Sequence, residues 1–365
     1  TGYKTNYEQI LQQLTEADTA LAKHLGKKDY TKAEVNAIKT DDEALGRAVQ
    51  IAQYMYSNDV ASLAEAKEEI TSSLESINDR LNYNLNKTFS GRKTGDDPDD
   101  MSNKFYGNSN IKPVKKTESH GTHVAGIIAA ERNNGKGTNG VANNVKIMSV
   151  RTVPNGDEYD KDVALAIRYA VDNGAKVING SFGKSFSPHS DWVRDAIAYA
   201  SDHDVVFVHA AGNDGADVDT TKNYPDDNVN FKEISNSYIR VGALEPKYGT
   251  NLIASFSNYG KNNVDVFAPG AKVYSTIPGN EYDTKGGTSM AAPAVAGVAA
   301  LIRSYFPKLT AAQVKQIIMD SGLAVTTKVV VGGDTNDVRA FKDLTKSGKM
   351  VNAYNALIMA AKMSK

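Results

Sequence analysis

Apolar residues recur three and four positions apart through the first 85 residues of the chain, which places them on one face of an α-helix. The pattern is clearest in four stretches: residues 7–25, 31–38, 42–56 and 62–81. Two capping-box sequences accompany it, Thr31 with Glu34 and Ser62 with Glu65. Residues 1–85 are therefore predicted to form a helical hairpin or small bundle, an insertion or accessory segment without chemistry of its own.

The pattern changes after this helical part. Residues 86–116 are polar and rich in Gly, Asp and Asn, which predicts a loop. Over residues 117–365, apolar runs alternate with amphipathic stretches. The runs predicted as strands are 145–150, 176–180, 205–212, 238–244 and 264–270, and helices are predicted to begin near His120, Asp162, Asp191 and Ser289. This alternation is typical of the α/β class, with a doubly wound, mostly parallel sheet covered by helices on both faces.

The composition excludes several kinds of partner. The 42 Lys and Arg residues nearly balance 43 Asp and Glu residues, and the net charge of −1 gives no overall field that favours nucleic acid or an anionic membrane. No apolar run reaches the roughly 18 residues of a membrane-spanning helix. The absence of cysteine excludes disulfides, thiolate metal sites and a cysteine nucleophile. We therefore predict no nucleic-acid partner and no membrane partner.

Two motifs place reactive residue types at the starts of predicted helices. Ser289 in GGTSMAAP follows two glycines, and the unpaired N–H groups at a helix start favour an oxyanion beside it. His120 in HGTHVAG lies where the helix dipole disfavours its protonated form, so it is available as a base. Taken singly, each residue has an ordinary structural alternative. His123 is three positions from His120 without an intervening Glu, which does not match the zinc-protease motif, and no metal site is predicted.

Polar residues also follow two neighbouring predicted strands. In parallel sheets the ligand lies outside the carboxyl ends of the strands. Asn213 occupies such an end, where its side chain is either a turn residue or a donor to an oxyanion. Ser181, Phe182 and Gly183 occupy the other, where unpaired backbone groups can bind an extended peptide as an added strand.

Together these motifs resemble those of the subtilisin-like serine proteases, the subtilase family. The resemblance rests on HGTHVAG, VINGSFG, HAAGNDG, SFSNYG with VDVFAPG, and GGTSMAAP, which stand in the family's order over residues 117–320. It implies that Ser289 is the nucleophile, His120 the general base and Asn213 the side-chain donor to the oxyanion. The implied reaction is hydrolysis of polypeptides through an acyl-enzyme, without a cofactor, in an exported protein.

The resemblance also implies how a substrate peptide is bound. Ser181 to Gly183 would form one substrate-binding edge strand, and Gly156, Asp157 and Glu158 would form the other. Asp157 and Glu158 would then favour Lys or Arg four residues before the cleaved bond. Calcium is possible but not predicted: family members often carry a calcium loop at the turn of residues 131–140, where Glu131 is the only acidic side chain here and backbone carbonyl ligands cannot be read from sequence.

The triad carboxylate is the one part of the family pattern that does not match. In the family, an Asp ends an apolar strand a few tens of residues before the His, and that strand is central in the sheet. The Asp residues upstream of His120 follow no apolar run: Asp79 lies in a helical pattern, and Asp96, Asp97, Asp99 and Asp100 lie in the polar loop. We therefore expect the Asp to come from a segment preceding Thr1, held as an N-terminal fragment or companion chain.

Two alternatives remain open at this point. The chain has lost its Asp and is a pseudoprotease that binds peptides without cutting them, or residues 1–85 are an interaction module on an enzyme remnant. In subtilisin, loss of the triad Asp alone lowers turnover about 3 × 10⁴-fold. The chain by itself is accordingly expected to be a poor protease.

Overall fold

A computed structural model describes residues 2–58, 60–89, 91–115, 117–142, 144–230 and 232–365, without the side chains of residues 72 and 76. The chain divides into two compact units, residues 1–93 and 94–365. The boundary falls inside the predicted loop at residues 86–116, so the second part of that loop belongs to the second unit.

The elements are numbered in chain order. The helices are α1 (Gly2–Leu25), α2 (Lys32–Asn36), α3 (Glu43–Ser57), α4 (Leu63–Asp79), α5 (His120–Ala129), α6 (Asp160–Asp172), α7 (Ser190–Asp202), α8 (Thr288–Tyr305), α9 (Ala311–Ser321) and α10 (Ala353–Met363). The strands are β1 (Val177–Gly180), β2 (Val206–Ala210), β3 (Asn228–Val229), β4 (Lys232–Glu233), β5 (Tyr238–Leu244), β6 (Val266–Pro269), β7 (Val273–Ile277), β8 (Glu281–Lys285), β9 (Leu323–Ala324), β10 (Lys328–Val331), β11 (Asp334–Ala340) and β12 (Lys349–Met350).

The first unit contains α1 to α4, followed by a π-helical turn at Arg80–Asn84. Its core is a cluster of buried apolar side chains at the helical spacing that the sequence shows, among them Leu14, Leu21 and Leu63. The capping box before α2 is closed in both directions: the Thr31 hydroxyl accepts the Glu34 N–H and the Glu34 carboxylate accepts the Thr31 N–H.

The second unit is built on a six-stranded sheet in the order β1-β2-β5-β6-β12-β9. The pairs from β1 to β12 are parallel and only β9 is antiparallel to its neighbour. Alternate residues of β2 face opposite layers, as the pleat of a strand requires. Val206 and Val208 pack in the cluster that contains α8 and α9, whereas Phe207 packs with α6 and α7. The predicted α/β class, with a mostly parallel sheet between helices, is confirmed.

One predicted strand is wrong. Residues 145–150 have no regular secondary structure, and Ile147 and Met148 are 47% and 42% exposed. An apolar run becomes a strand only when its backbone groups find a partner strand. β1 lies at one edge of the sheet. In the described part of the chain it pairs with β2 alone, and its other side has no partner strand.

The topology places the functional motifs at the carboxyl ends of strands β1 and β2. β1 and β2 run parallel with Gly180 opposite His209, so the residues that follow both strands emerge side by side. Helices α5 and α8 pack against each other, and α5 also packs on the hairpin of β7 and β8. Within the described ranges, no helix is both long and apolar enough to cross a membrane.

Candidate active site

Ser289 is held at the start of α8 by contacts with the end of β1. It is the second residue of the helix and is half-buried. Its hydroxyl donates to the Ser181 carbonyl oxygen at 3.3 Å, and the Ser181 hydroxyl donates to the Ser289 carbonyl oxygen at 2.8 Å. This reciprocal pair fixes the predicted nucleophile against the predicted peptide-binding edge.

The Asn213 side chain is oriented by the residue before the serine. Both the backbone N–H and the hydroxyl of Thr288 donate to Asn213 Oδ1, at 2.8 Å and 2.9 Å. Because the amide oxygen accepts these bonds, the amide nitrogen must point the other way. The Thr288 hydroxyl in turn accepts the Gly212 N–H at 3.1 Å. Thr288 was not singled out from the sequence, and its only signal there is its place between Gly287 and Ser289.

Two nitrogen donors lie close to Gly287. A Cβ at Gly287 would lie 3.5 Å from Asn213 Nδ2 and 3.6 Å from the Ser289 backbone nitrogen, and the backbone there has a φ of 153°, which favours glycine. The missing Cβ therefore leaves a small open space that both donors border. Such a pair of fixed donors can stabilise a negatively charged oxygen that forms during a reaction.

His120 is the first residue of α5, and its side chain is exposed. Met290, next to the serine, packs against Val124 and Ile127 of α5, which brings the starts of the two helices together. Desolvation by the surrounding protein lowers the pKa of His120, and the nearby His123 and Lys285 lower it further. The lowered pKa favours the neutral ring. In the described ranges the ring has no hydrogen-bond partner, so no carboxylate fixes its orientation.

His123 lies one turn further along α5 and has a structural position. It is fully buried, and its Nε2 lies 3.1 Å from the Asp283 carbonyl oxygen of β8. Burial lowers the pKa of His123. The Ser275 hydroxyl of β7 donates to the His123 carbonyl oxygen at 2.8 Å, which ties α5 to the hairpin a second time. The residues described here contain no group of three or more His, Asp and Glu side chains that could hold a metal ion.

The edge formed by Ser181, Phe182 and Gly183 is supported from beneath by a buried histidine. His209 Nε2 lies 2.7 Å from the Phe182 carbonyl oxygen. Desolvation, with a smaller contribution from Arg240, lowers the pKa of His209 to about 3. The ring is therefore neutral, and Nε2 carries the proton because its partner is a carbonyl oxygen. His209 was not recognised as part of the site, although a histidine within the apolar run VVFVHAAG was a visible signal.

Residues 155–157 form a bend and Glu158 follows it without regular secondary structure, so the segment predicted as the second substrate-binding edge pairs with no strand in the described part of the chain. Gly156 has a φ of 98° and Asp157 is exposed. The Glu158 side chain is buried, and its carboxylate accepts the Gly183 N–H at 3.0 Å. The structure thus joins the two predicted substrate-binding segments directly, through a carboxylate that occupies a backbone donor of the other segment.

The upstream Asp residues are engaged elsewhere. Asp96 forms a buried ion pair of 2.5 Å with Lys161 of α6, and Lys161 also donates to the Asp97 carbonyl oxygen. Asp99 contacts His189 and Asp100 contacts Ser102. Asp79 ends α4 in the first unit. These contacts anchor the loop to α6 and to the residue before α7, and none of them involves His120.

Comparison with known proteins gives consistent matches over much of the chain. A family model described as the subtilase family matches residues 18–347. The chain is 46% identical over 188 residues to the thermophilic serine proteinase of Bacillus sp. strain AK1, covering 51% of this chain and 43% of that protein. It is 41% identical over 186 residues to thermitase of Thermoactinomyces vulgaris, covering 51% of this chain and 61% of that protein.

The fold gives the same result. A solved protease structure from Pseudoalteromonas arctica PAMC 21717 is similar with a TM-score of 0.54 and 32% sequence identity, covering 66% of this chain and 70% of that one. The chain spans less than two thirds of the length of the curated relatives named above. Since the family model covers most of the chain, the chain belongs to the subtilase family.

Proposed function

We propose that this chain is the catalytic part of an exported serine endopeptidase that hydrolyses polypeptides through an acyl-enzyme on Ser289. The observation that carries the proposal is the placement of the Asn213 amide nitrogen and the Ser289 backbone nitrogen beside Gly287. Family membership supports the same chemistry. A cell wall-associated protease of Bacillus subtilis, 34% identical over 237 residues, is consistent with the exported location.

The proposed steps use the chain's own groups. The Ser289 hydroxyl attacks the peptide carbonyl carbon while His120 accepts its proton. The carbonyl oxygen becomes an anion and binds the Asn213 amide and the Ser289 N–H. His120 then gives its proton to the leaving amine. In the second half of the reaction, water attacks the ester while His120 accepts a proton from it, and His120 returns that proton to the Ser289 oxygen as the acid product leaves. No cofactor is needed for these steps, and calcium is not part of them.

The peptide is proposed to bind along the two segments that the site brings together. One consists of Ser181, Phe182 and Gly183, and the other of Gly156, Asp157 and Glu158. Ser181 supports this placement, because its carbonyl oxygen already accepts the Ser289 hydroxyl and its position is thus tied to the reacting atom.

We further propose that the triad carboxylate is delivered by a strand that joins the sheet beside β1, from an N-terminal fragment or companion chain. The open outer edge of β1 and the exposed apolar residues Ile147 and Met148 support this. A strand placed there would satisfy unpaired backbone groups and cover apolar surface. An Asp at its carboxyl end would reach the same edge of the sheet as Ser181.

Covalent labelling tests the nucleophile. The purified chain is treated with a fluorophosphonate and its intact mass is measured, with Ser289→Ala and His120→Ala as matched variants. We expect one added phosphonyl group on the natural chain, none on Ser289→Ala, and slower labelling of His120→Ala. A chain that never labels at Ser289 would contradict the protease proposal.

Fusion of a strand tests the origin of the carboxylate. Apolar strand sequences ending in Asp are joined to Thr1 through flexible linkers, and each is compared with its Asn counterpart. We expect turnover of a peptide substrate to be about 10³- to 10⁴-fold faster with Asp, in line with the loss measured in subtilisin when the Asp is removed. Equal turnover for every Asp and Asn pair would argue against a carboxylate delivered at this edge.

A further inference from the structure

The backbone of the Ser181–Gly183 edge has two sides with different partners. The Phe182 carbonyl oxygen faces His209 on β2, inside the sheet. Because successive residues of an extended segment alternate in direction, the Gly183 N–H faces the opposite, outer side. This is the side on which a peptide would join the edge as an added strand. The Gly183 N–H is therefore a donor that a bound peptide needs.

That donor is already occupied. Glu158 Oε1 accepts the Gly183 N–H at 3.0 Å. The neighbouring Lys184 strengthens the arrangement, since its Nζ donates to the Glu158 carbonyl oxygen at 2.5 Å and lies 2.9 Å from Asp160. A substrate carbonyl cannot bind the Gly183 N–H until the Glu158 carboxylate leaves it.

Glu158 also differs in charge balance from the other carboxylates around it. These side chains line a shallow, open cleft together with Phe182 and Tyr224. Asp160 is paired with Lys184, and Asp226 is paired with Arg194 at 2.6 Å. Within the described residues, the Glu158 carboxylate accepts backbone N–H groups and forms no ion pair of its own; the nearest basic side chain, Lys184, lowers its pKa but is paired with Asp160.

From this geometry we propose that the Glu158 carboxylate competes with substrate for the Gly183 N–H and, once displaced, binds a basic side chain of that substrate. The inference rests on the proposed function only in that both use the Ser181–Gly183 edge as the peptide site. It assigns Glu158 two effects of opposite sign, which are weaker binding of neutral peptides and selection of peptides that carry Lys or Arg.

The physical reason is the cost of a buried charge. Glu158 is only 9% exposed, and burial raises the pKa of its carboxyl group. A neutral peptide that takes the Gly183 N–H removes a charge-assisted hydrogen bond from this buried carboxylate and leaves it poorly compensated. A substrate ammonium or guanidinium group restores the compensation. The peptide carbonyl and the basic side chain therefore act together.

The test is a binding measurement that needs no turnover. In a Ser289→Ala background, fluorescence polarisation reports the affinity of a fluorescein-labelled alanine-rich hexapeptide in which Lys is moved through all positions. Each peptide is paired with its norleucine counterpart. For at least one position we expect Lys to bind about five- to tenfold more tightly than norleucine, the range of one charge-assisted hydrogen bond in a partly wet cleft.

Variants of Glu158 separate the two effects. Glu158→Ala is expected to bind norleucine peptides about five- to tenfold more tightly than the parent, and both Glu158→Ala and Glu158→Gln are expected to lose the preference for Lys. Asp195→Asn, an exposed position on α7, removes the same charge and should change neither value.

The outcomes distinguish this inference from the proposed function. A lysine preference that survives in Glu158→Gln, or norleucine peptides that bind no better to Glu158→Ala, would overturn the role of Glu158 while leaving hydrolysis at Ser289 intact. Conversely, these affinity changes in a chain that is never labelled at Ser289 would support the role of Glu158 and contradict the protease.

Discussion

At the scale of single residues, the orientation of the Asn213 amide depends on Thr288, a residue that takes no part in the proposed reaction. Thr288 gives two hydrogen bonds to Asn213 Oδ1 and accepts one from Gly212. These bonds settle which end of the Asn213 amide faces the space beside Gly287. An amide turned by half a rotation would present its oxygen there and repel an anion. The donor function proposed for Asn213 thus depends on a hydroxyl next to the nucleophile.

Removal of the Thr288 hydroxyl is expected to slow the reaction at Ser289 but not to abolish it. Thr288→Val keeps the shape and the backbone N–H but loses the side-chain bonds to Asn213 and Gly212. We expect the fluorophosphonate labelling rate to fall about tenfold, less than the roughly 10²- to 10³-fold cost of losing an oxyanion donor itself, which was measured in subtilisin. Thr288→Ser retains the hydroxyl and should stay within about twofold of the parent rate.

The base provides a second prediction at this scale. The pKa of His120 is lowered from its ordinary value of 6.5 by desolvation, His123 and Lys285. Because only the neutral ring accepts the Ser289 proton, labelling of this chain should fall as pH drops, with a midpoint below 6.5. The measurement is the labelling rate between about pH 4 and 9. A midpoint above 6.5 would show that a carboxylate, not desolvation, dominates the environment of His120.

At the scale of elements, helix α5 is placed by close packing on the hairpin of β7 and β8. The Ser275 and Thr276 hydroxyls donate to the carbonyl oxygens of His123 and Thr122, at 2.8 Å and 2.9 Å. Gly126 allows this approach, since a Cβ there would lie 2.4 Å from the Ser275 hydroxyl and 2.2 Å from that of Thr276. Gly126, the second glycine of HGTHVAG, therefore sets how closely α5 approaches the hairpin, and with it the position of His120.

Two substitutions within α5 give a matched comparison. Gly126→Ala would have to turn both hydroxyls away or move the helix, and we expect it to lower the free energy of unfolding of the second unit by about 1–3 kcal/mol. Gly121→Ala meets no atom within 4 Å and should raise it by up to about 1 kcal/mol, because alanine is the better helix former. Urea unfolding followed by circular dichroism measures both. Equal effects of the two substitutions would contradict the close approach.

The four longest strands of the six-stranded sheet and helices α5 to α8 could be read from the sequence, whereas α9, α10 and the shorter or hairpin strands were not predicted. The one predicted strand that does not form has a physical cause. β5 was predicted with the bounds that it has, and β1, β2 and β6 within two residues, because their apolar runs are buried between helices. The run at residues 145–150 has the same composition but lacks a partner strand. Strand propensity is a property of pairing and burial, so composition alone could not show that this run stays unpaired.

At the scale of the whole molecule, the second unit contains a buried cluster of charges that the sequence did not reveal. Lys315 of α9 lies 3.4 Å from Glu233 and 3.3 Å from Asp265. Asp227 lies in the same cluster, and its Oδ2 is buried without a hydrogen-bond partner in the described part of the chain. Burial raises the pKa of Asp227 to about 7, with Glu233 and Asp265 raising it and Lys315 lowering it. The Asp227 carboxyl group therefore stays protonated to a higher pH in the folded state than in the unfolded chain.

The raised pKa of Asp227 predicts that its contribution to the free energy of unfolding decreases as pH rises. Below the unfolded-state pKa of about 3.8, Asp227 is protonated in both states and has no effect on stability. Between that pH and about 7, the unfolded chain ionises first and is favoured. Asp227→Asn should therefore unfold with a free energy about 2–4 kcal/mol higher than the parent at about pH 8, and about equal at about pH 4.

The next residue provides the control for this measurement. Asp226 accepts the Arg194 guanidinium at 2.6 Å, so Asp226→Asn removes the same charge but breaks an ion pair. We expect it to lower stability at about pH 8, opposite in sign to Asp227→Asn. Denaturant unfolding at the two pH values is the measurement. A parent protein whose stability relative to Asp227→Asn is the same at both pH values would refute the assignment to Asp227.

The sequence by itself determined the family, the α/β class and the residues proposed for catalysis. It could do so because helix starts and strand ends carry local signatures, and because HGTHVAG and GGTSMAAP place His120 and Ser289 at such points. Only the tertiary structure decided how those residues are oriented and what already occupies the site. The contacts of Thr288 with Asn213, His209 with Phe182 and Glu158 with Gly183 join residues far apart in the chain, and no local pattern specifies the direction of a side chain across such a gap.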